Sequence, residues 1–258
     1  LEVLSKKIKT ILQDNHHRPW PMPLGAWQFY QEWLDLLFLH FQVDYELLRS
    51  LVPEELSIDR YQGRSYVSLV AFEMKNIRPR NIPALSPISD FLEINVRTYI
   101  SQNGKKGVYF INIEASKYLA ALVAKKLSDL PYEKSTIVRD AKGYKNYNSE
   151  KEFTLNSIFH ISEAITFKSE LDIWLTERYC LYLDKSDGIY CFEIHHAEWD
   201  LFAVQMEECQ LDYKIGRLNL NHENIESIHY ATGVQVLAWK AYQLSLDRRG
   251  SDDRSHQK

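Results

Sequence analysis

Three polar residues of different chemistry stand in one row of the chain. Between residues 91 and 100 the sequence reads FLEINVRTYI. Along a β-strand successive side chains alternate between two faces. Glu93, Asn95 and Arg97 then share a face with Phe91 and Tyr99, while Leu92, Ile94, Val96, Thr98 and Ile100 make an almost wholly apolar counterpart. A buried carboxyl group can act as acid or base near neutral pH, because loss of water disfavours its charged form. A guanidinium grips a carboxylate through two parallel hydrogen bonds. The row is therefore a candidate floor for a small anionic or carbonyl ligand, with Glu93 as catalytic acid or base and Asn95, Arg97 and Tyr99 as binding groups. The same residues also suit an internal ion pair that holds the fold.

Other candidates lie on neighbouring strand-like runs. The stretch NGKKG at 103–107 is a strong turn signal, so residues 108–115 return as the antiparallel partner. Asn112 and Glu114 share one face of that partner and join the ligand-binding set. Glu193 and His195 share a face of the run 189–199, with His196 pointing the other way, and His195 reads as a proton shuttle or a hydrogen-bonding core residue. A catalytic zinc site needs three protein ligands in suitable geometry, and no third is signalled there, so no metal and no cofactor are expected. Glu177 and Arg178 diverge on a strand and read as one structural bridge and one surface charge. Tyr66, Phe72, Phe91, Tyr99 and Tyr179 are candidates for a pocket wall, or for ordinary core with satisfied hydroxyls.

These residues need a β-rich frame. Leu1, Leu4, Ile8, Ile11 and Leu12 fall at helical spacing, which predicts an amphipathic helix over 1–13. RPWPMP at 18–23 is an extended connector, because each proline disfavours helix at the residue before it. Residues 27–42 read as a long aromatic strand buried in part on both sides. Asp44 is a candidate cap for a short helix ended by Pro53. Residues 65–74 form one arm of a hairpin, and the proline-rich stretch at 78–90 reads as a loop over the mouth of a site. A helix is expected over 116–128, a strand over 132–139, a strand over 151–161, a short helix capped by Ser169, and strands over 177–183, 189–199, 201–207 and 228–242. Residues 245–258 are polar and read as a disordered tail. The expected division is one domain over 14–244, preceded by the helix.

Bulk properties exclude several classes. The 258 residues carry 31 basic and 35 acidic side chains, a net charge of −4, with no long basic stripe, so nucleic acid is not an expected partner. No apolar run reaches the ~20 residues of a membrane span. The first fifteen residues lack the continuous apolar core of a secretory signal. The three cysteines, Cys180, Cys191 and Cys209, show no metal-type spacing and read as reduced thiols of a cytoplasmic protein. Homodimerisation through exposed strands stays open.

Four runs carry a resemblance: FLEINVRTY at 91–99, LTERYCLY at 175–182, EIHHAEW at 193–199 and DLLFLHFQV at 35–43, with GRSYVSLVAFEM between them. Over residues 18–242 the chain resembles the YqjF-like family, which is similar in fold to acetoacetate decarboxylase. The resemblance implies an α+β, mostly antiparallel β protein: an acetoacetate decarboxylase-like barrel with a few flanking helices and an interior cavity. It also implies a lysine that forms a Schiff base just after a proline, and a strand glutamate, for which Glu93 is the counterpart. Here the residue after Pro131 is Tyr132, placed in the ligand-binding set; Lys134, two positions on, is the remaining candidate nucleophile. Binding of a small organic acid or carbonyl compound is the leading expectation. The alternatives are a Schiff-base lyase using Lys134 and a non-catalytic scaffold with a filled interior.

Overall fold

A computed structural model describes residues 2–117 and 132–245. The expected helix over 116–128, apart from Ser116 and Lys117, and nearly all of the polar tail lie outside the described residues. Helix α1 (Glu2–Gln13) leads through the proline connector to β1 (Phe29–Val43), helix α2 (Tyr45–Arg49) and β2 (Ser65–Pro79). Asp44 caps α2 by accepting from Leu47 N at 3.0 Å. A single turn, α3 (Ser86–Ser89), precedes β3 (Phe91–Gln102) and β4 (Lys105–Ala115). Short strands β5 (Tyr132–Lys134), β6 (Thr136–Arg139) and β7 (Tyr144–Asn148) lead to β8 (Phe153–Ala164). Helix α4 (Glu170–Thr176) starts at Ser169 in a reciprocal capping box with Asp172. The chain then runs through β9 (Cys180–Lys185), β10 (Gly188–His195), β11 (Leu201–Ile215), β12 (Leu218–Asn221), β13 (Ser227–Ala238) and β14 (Tyr242–Gln243).

The expected barrel is not formed. The strands make one mixed sheet in the order β14-β10-β9-β4-β3-β2-β1-β13-β11-β8-β7-β6, with β12 beside β11 and β5 beside β4. Most pairings are antiparallel, but β4 pairs β5 and β9 in parallel. The end strands β14 and β6 do not meet. Two residue pairs, Ile194 with Ala238 and His195 with Leu237, draw β10 toward β13 without making the whole sheet a barrel. The reason lies in β11: it leaves β13 after two pairs, Leu201 with Ala231 and Phe202 with Tyr230, and carries β8, β7 and β6 away as a wing.

Strands β1 to β3 are buried on both faces. Leu37, Leu39 and Phe41 of β1 join Val67 and Leu69 of β2 and Ile94, Val96 and Ile100 of β3 in the larger core. Leu36 and Phe38 join Val70, Phe72, Met74 and Phe91 on the opposite side. This two-sided burial is why β1 shows no clean apolar face in sequence. Among the described residues no helix is long and apolar enough to cross a membrane. Cys180 and Cys191 are buried, Cys209 is half-buried, and none is in a disulfide.

One backbone contact sets the position of β9. A Cβ on Gly107 would lie 2.4 Å from the Cys180 carbonyl oxygen. Gly107→Ala is therefore expected to push β4 from β9 at their parallel pairing, Val108 with Leu181, and to cost about 1–3 kcal/mol. Urea denaturation measures it; an unchanged midpoint contradicts the contact's importance.

Candidate functional site

The inner row of β3 is set by the pairing of β3 with β2. Phe72 stands opposite Glu93, Val70 opposite Asn95 and Ser68 opposite Arg97. Glu93, Asn95 and Arg97 line a cavity of about 90 Å³ together with Val70 and Phe72. Water occupies roughly 30 Å³ in the liquid, so this space suits a ligand of few heavy atoms. Trp33 and Leu36 of β1, Phe110 of β4, Tyr132 of β5 and Ile194, His196 and Trp199 near β10 complete much of the wall.

Glu93 is nearly fully buried. Oε1 accepts from Asn95 Nδ2 at 3.0 Å and Oε2 from the Tyr132 hydroxyl at 2.9 Å. Burial pushes its carboxyl up from 4.5 to about 7, and the bonds from Asn95 and Tyr132 and the Arg97 charge only partly offset this. Unfolded, the group titrates near its ordinary value. Between pH 4.5 and about 7 the native state holds a proton that the unfolded chain has lost, so this group's contribution to stability falls as pH rises through that window and levels off above it. The span amounts to about 3 kcal/mol at most. Glu93→Gln is expected to gain on the wild type across the window, as read by urea denaturation at several pH values. The buried histidines, held below their ordinary range by desolvation, weaken both proteins alike on the acid side and cancel in the difference. Parallel pH profiles would contradict the assignment.

Two guanidinium groups face this carboxyl group's cavity. Arg97 is buried with its Cζ 5.6 Å from the Phe38 ring centroid, and its Nε has no hydrogen-bond partner among the described residues. Arg178, between α4 and β9, also lines the cavity. Its Nε donates to the Trp174 carbonyl at 2.7 Å and its Nη1 to Asp59 Oδ2 at 2.6 Å, but its Nη2 has no partner among the described residues. Asn95 Oδ1 is likewise buried without a donor among the described residues. Desolvation lowers both arginine pKa values, yet a guanidinium starts so high that it stays charged. The cavity thus presents unused cationic donors near a carboxyl poised to take or give a proton.

A hydrogen-bond chain stands behind the arginines. Tyr99 Oη lies 2.5 Å from Ser68 Oγ, which lies 2.6 Å from His40 Nδ1. His40 Nε2 lies 3.1 Å from His229 Nδ1, and His229 Nε2 lies 3.0 Å from Asp172 Oδ1. With Asp172 ionised, the proton positions follow in sequence: each imidazole donates through Nε2 and accepts through Nδ1, Ser68 donates to His40, and Tyr99 donates to Ser68. Asp172 also belongs to the capping box of α4, so the chain ties that helix to β13, β1, β2 and β3. The Trp174 ring of α4 packs on Tyr99 with centroids 4.5 Å apart and planes tilted by 43°, and Arg178 lies over both rings.

The remaining expected site residues are elsewhere. Asn112 pairs with Val96 and Glu114 with Ile94, so both belong to the face opposite Glu93. Glu114 is wholly buried and satisfied by Asn146, Asn148 and Tyr213, a junction of β4 with β7 and β11. Asn112 donates to Glu133 Oε2 at 3.1 Å. Glu193 turns away from the cavity to accept from Lys105 and Trp20, and His195 donates from Nε2 to the Ile11 carbonyl at 2.8 Å. The histidine in the cavity wall is His196, whose Nδ1 donates to the Ala197 carbonyl at 2.7 Å. Tyr99 is buried against the cavity's arginines rather than in its lining. Lys134 is exposed and does not line the cavity. The proline-rich stretch borders a separate groove with α1, not this mouth.

Arg178, His196, His40 and His229 are absent from the sequence-derived set. His40 carried a usable signal, a lone imidazole in the apolar run LLFLHF. Arg178, expected as half of a surface-and-bridge pair, is buried, and Glu177 is largely buried too, bonded to Lys168, Tyr179 and the Trp199 amide.

Comparison with known proteins adds a frame. The model of a family described as "Uncharacterized conserved protein" (DUF2071) matches residues 30–235. The protein YqjF of Bacillus subtilis (strain 168) is 35% identical over 234 residues, covering 84% of this chain and 93% of that one. Among solved structures, the enduracididine biosynthesis enzyme MppR complexed with pyruvate superposes with a TM-score of 0.58 at 7% identity, over 90% of this chain and 94% of that one. An acetoacetate decarboxylase-like enzyme from Sphingomonas wittichii RW1 gives 0.57 at 14% identity, over 89% and 98%. Acetoacetate decarboxylase from Legionella pneumophila gives 0.54 at 10%, over 91% and 95%. At such identities the likeness is one of fold.

Proposed function

The chain belongs to the YqjF (DUF2071) family, and from that premise we propose that its cavity binds a small oxo acid, its carbonyl beside the carboxylate or one carbon removed, and that Glu93 moves a proton on it. The observation that carries this reading is the pair of buried, unpartnered guanidinium donors, Arg97 Nε and Arg178 Nη2, on the wall of the cavity that holds Glu93. A carboxylate would meet Arg97 and Arg178 through charge-assisted bonds. Glu93, held near neutrality by burial, would exchange a proton with the carbon or oxygen next to the carbonyl, with Tyr132 orienting the carboxyl.

The fold neighbour bound to pyruvate supports the ligand class. The decarboxylase neighbours support a carbonyl substrate, but the amine of that chemistry has no counterpart among the described lining residues: Tyr132 follows the proline and Lys134 is exposed. This favours acid–base chemistry over an imine. The presence of a cavity beside Glu93 and Arg97 favours a ligand over an interior filled by its own side chains.

Calorimetric titration with pyruvate, acetoacetate and their methyl esters tests the reading. The acids should bind at one site and the esters at least ~10-fold more weakly, the loss of about 1.4 kcal/mol or more that follows removing the charge. Equal binding of acid and ester overturns it. Deuterium exchange at the carbon next to the carbonyl, followed by NMR, should be faster with the wild type than with Glu93→Gln; equal rates remove Glu93 from the chemistry.

A further inference from the structure

The segment between α1 and β1 holds a cluster that the cavity does not use. Asp14, His16 and His17 follow directly on the C-terminus of α1, and one donor atom from each lies within 4.8 Å of the others. Asp14 Oδ1 stands 3.2 Å from His16 Nδ1 and 3.7 Å from His17 Nδ1. Ligands set tetrahedrally at ~2.0–2.1 Å from zinc are separated by roughly 3.3 Å, so little movement would close the set around an ion.

His17 is the informative member. Its side chain is only 4% exposed. Its Nε2 lies 2.8 Å from the His196 carbonyl oxygen, which can only accept, so Nε2 carries the proton and Nδ1 presents its lone pair. That buried lone pair has no hydrogen-bond partner among the described residues and faces Asp14. An imidazole whose far nitrogen donates to a backbone carbonyl is oriented as metal-bound histidines are. Asp14 carries a second signal: it sits at the negative end of the α1 dipole, and the last turn has no basic side chain to offset it.

We propose that Asp14, His16 and His17 form a site for a divalent transition metal of the zinc class, with water completing the coordination. Two imidazoles and one carboxylate suit such an ion better than magnesium or calcium, which prefer all-oxygen sites. His16 is 80% and Asp14 41% exposed, which leaves an open path for the ion. The ion would do more than decorate the surface. The His17 ring stacks on His195 at 5.5 Å and its Nε2 holds the His196 carbonyl, so the bound metal would tie the end of α1 to the segment that places His196 in the cavity wall.

The 258-residue chain, stripped with a chelator, is titrated with zinc by equilibrium dialysis and with cobalt by visible absorption. One tightly bound zinc, an intense tetrahedral cobalt spectrum and a zinc-dependent rise in Tm are expected. All three should be lost in the Asp14→Ala/His16→Ala double variant, whose replaced side chains are exposed or half-exposed, with far-UV circular dichroism unchanged. Absence of a tight equivalent in the wild type overturns the proposal. So does equal zinc uptake by the double variant.

Discussion

Arg97→Met is expected to weaken binding of a small carboxylate by about 2–4 kcal/mol, roughly 30- to 1,000-fold, while leaving the protein at least as stable. The two halves of this expectation share one cause. In the free protein Arg97 sits desolvated, with no ion pair among the described residues and with an unpartnered Nε. Its burial is a cost that the Phe38 ring, the Tyr99 hydroxyl and the Glu93 carboxyl offset only in part, and that a bound anion would offset further. Methionine has a similar length, fills the space beside Phe38 and removes that cost, as replacement of buried charges by apolar groups often does. Ligand titration and urea denaturation of the same variant separate the two. If the variant binds the acid as tightly as the wild type, Arg97 is not the anion anchor. If it binds less and also unfolds early, Arg97 is a structural residue and its part in binding is indirect.

Arg178→Met should behave in the opposite way, losing about 3–5 kcal/mol of stability as well as affinity. Arg178 is wired into the frame: Asp59 accepts from it at 2.6 Å, the Trp174 carbonyl at 2.7 Å, and its Cζ lies 4.3 Å from the Trp174 ring centroid. Removing it strands a largely buried Asp59 carboxylate and frees α4 from the wall of the cavity. The double variant Asp59→Asn/Arg178→Met should recover part of the loss, because the stranded charge is gone. Denaturant midpoints for the two single variants and the double give the coupling directly. Simple additivity of the singles would show that the Asp59 bond does not contribute.

The contrast between the two arginines divides the site by function. Arg178 is held by the Asp59 ion pair, whereas Arg97 is held by the Tyr99 hydroxyl and makes no ion pair among the described residues. Behind both, the chain from Tyr99 to Asp172 holds rings and helix α4 in place, so the donors are positioned before any ligand enters. Such pre-organisation lowers the entropy that binding must overcome.

How much of this could be read from residue order follows from the range of the forces involved. The alternation of β3 is local geometry: two residues per repeat set Glu93, Asn95 and Arg97 on one side and Ile94, Val96 and Ile100 on the other, whatever the rest of the chain does. The caps at Asp44 and Ser169 are equally local, a side chain meeting an amide three residues away. The family resemblance, carried by four separated runs, extended that reading to the general fold.

What local order could not supply is parity between elements. Glu114 and Asn112 alternate correctly on β4, but only the register with β3, Ile94 against Glu114, decides that they face away from Glu93. The same one-residue choice separates His195, bonded to Ile11, from His196 in the cavity wall. Arg178 lies beside helix α4 rather than within a strand, and its burial depends on Asp59, 119 positions earlier. The open path of the sheet, instead of a barrel, turns on where β11 abandons β13. Periodicity along one strand is enforced by bonds within that strand and so is written in adjacent residues. Register, closure and the pairing of distant charges are settled only when surfaces far apart in the chain compete to exclude the same water.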